Sequence, residues 1–242
     1  MLFKYGDIEI EIPKGHEFVY YATFIAGEYD YIKVRKDDIV LDAGAFIGDY
    51  TLKVAKKVKE VVAVEPLPWA FELLKKNVER NELKNVTLIN KALYDVDTVL
   101  HIQDEGTGSK IGEREIQVKT ITIDELDRKF SVMKMDIEGA EGRAIKGDYI
   151  NYVREIAIEL HGKDNIDRVS RYLREQGFQL TEMGWKHLLL NAWRNMITHL
   201  PSFISAERKT KIMSLALFKR RYNVPSIERE DIKIVYGKRL SK

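Results

Sequence analysis

The chain has 242 residues, 45% hydrophobic and 32% charged, a composition that fits one sizeable folded domain and excludes a disordered chain. Cysteine is absent, which rules out disulfides, thiolate metal sites and cysteine nucleophiles. Net charge is only +2, no run of eighteen apolar residues offers a membrane span, and the opening MLFKYGDIEIEIPKG lacks the apolar core of a secretion signal, so a cytoplasmic protein is expected.

Residues 1–37 read as short strands and a connecting segment, with Phe3, Ile8, Ile10 and Ile12 in rough alternation before Pro13. From Asp38 onward, strands alternate with helices. Ile39–Leu41 is a buried strand that runs into Asp42 and a glycine turn, and Tyr50, Val54 and Val58 then recur at helical spacing. Val61–Val64 is a second strand ending at Glu65. Pro66 and Pro68 suit the first turn of a helix to about Asn81, with Phe71, Leu74 and Val78 on one face.

Val86–Ile89 is a third strand, and the turn-rich stretch 97–119 is expected to carry two short ones. Val132–Met135 and Ile156–Leu160 read as further buried strands, with a helix near 140–146 between them. Asp164 is placed to cap a helix that Gly177 ends. Phe178–Met183 and Ile232–Tyr236 are the last strands. This alternation predicts a mostly parallel, doubly wound, Rossmann-like α/β sheet in one domain. Its parts are a core at 38–184, a helical insertion at 185–222, and a last strand with its tail at 223–242.

In such sheets ligands bind beyond the carboxyl ends of the strands. The first core strand ends in Asp42-Ala43-Gly44-Ala45-Phe46-Ile47-Gly48. Gly44 lets the backbone turn sharply toward a ligand, and Gly48 allows close packing as the next helix begins. Glu65 is placed to accept hydrogen bonds from two ribose hydroxyls. A nicotinamide site would have a glycine where Phe46 stands. Phe46 therefore argues against a pyrophosphate, whereas Asp42 suits a cofactor with an amino-acid end. S-adenosylmethionine has both the ribose and the charged amino group.

These residues resemble a known family. Gly27-Glu28-Tyr29-Asp30, VLDAGAFIGDYTL (40–52), AVEP (63–66), NKAL (90–93), TIDEL (122–126) and KMDIEGAE (134–141) are similar to the FkbM-type methyltransferases over roughly residues 25–162. The resemblance implies a class I methyltransferase fold, S-adenosylmethionine as methyl donor, and methylation of a hydroxyl or similar group. By motif, it implies that Asp42, Gly44, Ala45, Phe46, Gly48, Asp49, Glu65 and Pro66 form the cofactor site, with Ala92 and Leu93 beside the adenine. Phe46 replaces a small polar residue common in the family and is expected to reshape the methionine end of the pocket.

Methyl transfer to a hydroxyl needs the acceptor held in line and its proton removed. Asp136 and Glu138 would share a face if their strand continued, and Glu159 and His161 form a second polar pair on the next strand. Asp136 is the first candidate base. His161 is the alternative, because an ordinary imidazole accepts a proton near neutral pH. Two other readings stay open: Asp136 capping the next helix beside a structural Glu138–His161 pair, or these groups holding a divalent metal. Ser109 and Lys110, in a small-residue loop, and Glu28, ahead of the core, are candidates for lining the acceptor site.

The insertion from Trp185 to Tyr222 has eight basic residues and one acidic, a local +7 that leaves −5 for the remainder. Leu189, Trp193, Met196 and Leu200 recur at helical spacing. The ordinary expectation is a cap that packs this apolar stripe on the domain. Homodimerisation, RNA and an anionic membrane surface are the other partners that a basic amphipathic helix allows. The sequence thus points to O-methylation of a small molecule or glycan. The alternatives are RNA methylation, against which stands the absence of an Asn-Pro-Pro-aromatic motif, and a non-catalytic protein that kept the fold.

Overall fold

The computed structural model describes residues 1–102, 116–210 and 231–240. Its centre is a seven-stranded sheet made of β3 (Ile39–Ala43), β4 (Glu60–Val64), β5 (Val86–Ile89), β9 (Val132–Met135), β10 (Glu155–His161), β11 (Phe178–Glu182) and β12 (Ile232–Arg239), in the order β11-β12-β10-β9-β3-β4-β5. β10, β9, β3, β4 and β5 run parallel, and β12 enters antiparallel between β10 and β11. The chain winds outward from β3 to β5, then crosses back to β9. Strand order therefore reverses between β3 and β9, which is where such sheets open a crevice for ligands.

The inner strands are apolar on both faces because helices cover both sides. The segments Val40-Leu41 and Val61–Val64 are buried throughout. α1 (Asp49–Ala55) follows β3, and α2 (Pro68–Arg80) follows β4 with Pro68 in its first turn and Leu74 and Val78 inward. α3 (Glu141–Ala144) is a single short turn of helix after β9, and α4 (Lys163–Glu175) follows β10 with Ile166, Val169 and Leu173 buried. α4 starts after Gly162, and no side chain caps it. Asp164 thus lies inside its first turn, two residues past the N-cap Gly162, and contributes there through the helix dipole.

The N-terminal strands β1 (Leu2–Tyr5) and β2 (Ile8–Glu11) pair as an antiparallel hairpin against α2. Asn77 and Asn81 of α2 supply the missing sheet partners. Their Oδ1 atoms accept the Glu11 and Glu9 N–H groups at 2.8 and 2.9 Å. Next comes a π-helical turn, Tyr20–Ala26, buried almost throughout and ended by Gly27; the sequence pattern had indicated only a connecting segment. A small side sheet of β6 (Ala92–Leu93), β7 (Val99–Ile102) and β8 (Ile116–Ile121) supplies the two short strands expected in the turn-rich stretch. The insertion forms α5 (Trp185–Thr198) and α6 (Leu200–Thr210).

Candidate functional site

The carboxyl end of β3 is a loop whose shape is set from inside the protein. Gly44 has a φ of +74°, and a Cβ there would stand 1.8 Å from the backbone oxygen of Asp136. The close approach that demands glycine is therefore to the Asp136 backbone, just past β9. Lys134 ties the same two strands together: its Nζ donates to the Gly44 carbonyl at 2.6 Å and pairs with Asp42 at 3.4 Å. Asp42, fully buried, also accepts the Thr51 hydroxyl at 2.6 Å. Both Asp42 oxygens thus face the interior, so it supports the loop instead of presenting its carboxylate to a ligand. Burial opposes charge on Lys134, but Asp42, Asp136 and Asp49 outweigh it and raise the ammonium pKa.

Glu65 ends β4 and turns back under this loop. Its Oε2 accepts the Phe46 N–H at 2.8 Å and its Oε1 the Leu67 N–H at 2.9 Å. An ionised carboxylate has about four acceptor positions, so two remain for a pair of neighbouring hydroxyls. Burial lifts its pKa to about 7, against the pull of those two N–H groups. Asn90 secures the turn by donating to the Glu65 carbonyl at 2.8 Å and the Pro66 carbonyl at 3.1 Å.

Phe46 has a left-handed φ of +49°, and its ring meets Trp69 edge-on at 5.4 Å and His16 at 5.6 Å. It shares an apolar cluster with Ala92 and Leu67. The ring therefore lies on the Glu65 and Ala92 side of the loop. Ala45 is buried, and Gly48 packs against Leu74, where a Cβ would come within 2.6 Å of its methyl group. Leu93 is buried in the core that β4 and β9 share.

On the other side of the loop the acidic groups converge. Asp136, Glu138 and His161 each offer a ligand atom, and these atoms all lie within 4.8 Å of one another. β9 ends at Met135, so strand alternation does not bring Glu138 beside Asp136. A turn does it, with Glu138 at φ +54° and Gly139 at φ +104°. His161 Nε2 stands 3.2 Å from Glu138 and 3.6 Å from Glu159. Asp136 caps nothing, because α3 has Ala140 at its N-cap and no side-chain cap.

Glu141, Asn165 and Lys134 join this cluster without having been singled out from the sequence. Glu141 is fully buried; it accepts the Gly139 N–H at 2.8 Å and the Asn165 amide at 2.6 Å, and sits 3.2 Å from His161 Nδ1. The signal was present, since a glutamate just past the Asp136–Glu138 turn, on an otherwise buried helical turn, needs a buried partner. Burial would lower the His161 pKa, but the Glu141 hydrogen bond and the Asp136 and Glu138 charges overcome it and raise it to about 9. An imidazole held at about 9 favours the imidazolium at neutral pH, which weighs against His161 as the resting-state base. Burial raises the Asp136 carboxyl, with Lys134 and His161 opposing.

Glu28 reaches the same rim from the segment after Gly27. Burial, then Asp49 and Asp136, lift its carboxyl to about 8, and its carbonyl accepts the Tyr236 hydroxyl. Asp49, at the start of α1, accepts the Thr23 hydroxyl, and burial lifts it to about 6. Ser109 and Lys110 lie outside the described residues.

A family model, the methyltransferase FkbM domain, matches residues 42–180. A probable cobalt-precorrin-6B C(15)-methyltransferase of Methanocaldococcus jannaschii is 35% identical over 65 residues, 27% of this chain. The chain spans only 36% of that relative's length. Among solved structures, the methyltransferase FkbM of Methylobacillus flagellatus KT superposes with a TM-score of 0.52 at 19% identity, covering 72% of this chain and 44% of that one. A precorrin-6y C5,15-methyltransferase of Geobacter metallireducens GS-15 gives 0.53 at 12% identity, covering 98% and 100%. At these identities the two structures establish the fold, a Rossmann-like class I methyltransferase fold.

Proposed function

The chain belongs to the FkbM methyltransferase family, and we propose that it transfers the methyl group of S-adenosylmethionine to a hydroxyl of a small molecule or glycan. The observation that carries this reading is the contact between the Gly44 loop and the Asp136 backbone, which leaves no space for even a methyl group between them. It fixes the loop that would hold the donor against the residue that would hold the acceptor's proton. Pre-set placement of this kind supplies much of the rate enhancement for a displacement between two bound partners.

The residues fit the donor. The two remaining acceptor positions on Glu65 match a ribose diol, Ala92 and Phe46 offer apolar surface for a base, and Glu28, Asp49 and Asp136 suit a cationic amino-acid end. When bound, S-adenosylmethionine supplies a methyl group activated by its sulfonium. Asp136 would accept the proton of the hydroxyl that takes up this methyl group. A carboxyl raised by burial is a stronger base than an exposed one. Glu141, through His161, is a positioning residue that keeps an imidazolium beside the carboxylates.

Calorimetry with S-adenosylmethionine and S-adenosylhomocysteine tests the donor site. Micromolar binding that Glu65→Ala weakens at least roughly tenfold, about 1.4 kcal/mol, is expected; no binding by the folded wild type overturns the reading. A donor labelled in its methyl group, offered with hydroxylated small molecules, glycans and RNA, tests the acceptor. Label on RNA alone would replace the acceptor class.

The Asp136, Glu138 and His161 cluster favours a second reading, in which a divalent cation orients the acceptor hydroxyl. Two carboxylates and one imidazole suit Mg²⁺ or Mn²⁺, and Glu141 on Nδ1 is the outer carboxylate that metal-bound histidines characteristically carry. Manganese titration followed by electron paramagnetic resonance decides it. Binding lost in Glu138→Gln supports the metal; a flat titration of the wild type removes it.

A further inference from the structure

We propose that the outward face of α5 and α6 docks on an anionic lipid surface. The sequence leads to the expectation that the apolar stripe of α5 packs against the domain; in the structure Met196 packs there, whereas Leu189, Trp193 and Leu200 face solvent. The inward contacts of α5 are made by Leu188, Ala192, Asn195 and Met196, and those of α6 by Phe203 and Ala206. The larger side chains face solvent: Leu190 is 72% exposed, Ile197 67% and Trp193 59%. Leu189, Leu200 and Ile204 extend the same surface. Among the described residues, six of the twelve strongly exposed large apolar side chains fall within these sixteen positions, so the exposure is a patch and not the usual scatter.

The patch is held firmly in place. Asn195 donates to the Ile25 carbonyl and to Asp30, both at 3.1 Å, and Asn191 donates to the Gly27 carbonyl at 3.1 Å. Lys209 reaches the Leu2 carbonyl from α6 at 2.5 Å. A helix anchored by polar bonds beneath it, with tryptophan and isoleucines above, has the layout of an interfacial helix that sinks its apolar face below the headgroups. The positions 190, 193 and 197 follow helical spacing, so one face enters together.

Charge selects the occupant. Lys186, Arg194, Arg208 and Lys209 are exposed on these helices against Glu207, and the sequence continues with Lys211, Lys219, Arg220 and Arg221. The insertion as a whole is +7 and the rest of the chain −5. An anionic leaflet satisfies the cations and the aliphatic side chains together. Nucleic acid would engage the cations and leave Leu190 and Ile197 without partners, and a second copy would bring like charges face to face. The same helix holds the Gly27–Asp30 turn that carries Glu28 to the acidic rim, so the docked face and the site share a rigid element.

The test is co-sedimentation of the full chain with phosphatidylcholine vesicles, with and without phosphatidylglycerol. Binding to the anionic vesicles only, weakened by salt and lowered at least roughly tenfold in Trp193→Ser/Ile197→Ser, is the expected result. Unchanged binding of S-adenosylhomocysteine would show that the variant is folded, and a blue shift of wild-type tryptophan emission on vesicles, absent in the variant, would report burial of Trp193. Three results overturn the proposal: no sedimentation with anionic vesicles, vesicle binding that the double substitution leaves intact, or a dimer in sedimentation velocity that the same substitution disperses.

Discussion

Gly44→Ala is the substitution that most directly probes the link between donor loop and acceptor rim. The new Cβ would lie 1.8 Å from the Asp136 oxygen, so the loop and β9 must separate by roughly 1.2 Å to reach even the 3.0 Å limit of real contacts. The left-handed φ of +74° adds about 1–2 kcal/mol of strain for any residue with a Cβ. Overpacking at the contact adds about 1–3 kcal/mol. A total near 3 kcal/mol predicts a melting temperature lower by roughly 6–12 °C in a chain of this size. A displacement of about 1 Å between loop and base predicts roughly a hundredfold loss of methyl transfer in the protein that remains folded. Gly15→Ala is the control, because Gly15 has a φ of +96° and nothing within 4 Å of a Cβ. It should reproduce the strain without the loss of transfer. Calorimetric melting and single-turnover transfer of labelled methyl groups supply the two readouts. A Gly44→Ala protein that melts with the control and transfers at the wild-type rate would refute the coupling of loop and rim.

Three further outcomes follow from the site's electrostatics. His161 should titrate near pH 9 in proton NMR, and a transition near its ordinary 6.5 would remove the role given to Glu141. Since the folded pKa lies above the unfolded one, His161 contributes stability, roughly 3 kcal/mol, that is complete below about pH 6.5 and lost as pH rises through about 9; denaturant unfolding across this range measures it. Affinity for S-adenosylhomocysteine should rise between about pH 6 and 8 as Glu65, held at about 7, ionises, and Glu65→Gln should bind more weakly and lose the part of the rise centred near pH 7, keeping the parts that Asp49 near 6 and Glu28 near 8 contribute in calorimetry. Lys134→Met should cost about 3–5 kcal/mol in chemical denaturation by leaving Asp42 buried without its ion pair, and a cost under about 1 kcal/mol would refute that pairing.

Much of this protein is fixed by order along the chain. Alternating buried strands and amphipathic helices specify a parallel sheet, since a strand apolar on both faces must be covered twice; β3, β4, β9 and β10 follow from the apolar runs Ile39–Leu41, Val61–Val64, Val132–Met135 and Ile156–Leu160 on that ground alone. The positions of Glu65 and Asp136 also follow, because residues at the carboxyl ends of parallel strands face one crevice whatever the details. What sequence cannot express is which partner a polar or glycine residue meets across the fold. That Gly44 answers to the Asp136 backbone, that Asp42 is spent on Thr51 and Lys134, and that Phe46 turns toward Trp69 are facts of contact between distant segments. The charge state of His161 belongs with them: an isolated imidazole titrates near 6.5, and only three carboxylates brought together by two strand ends and the turn after β9 raise it. The face of α5 is the last case. Helical spacing marks an apolar stripe, but which side of a helix is buried depends on the surface it lands on, and here Gly27, Ile25 and Asp30 bond its asparagines and leave Leu189, Trp193 and Leu200 of that stripe outside.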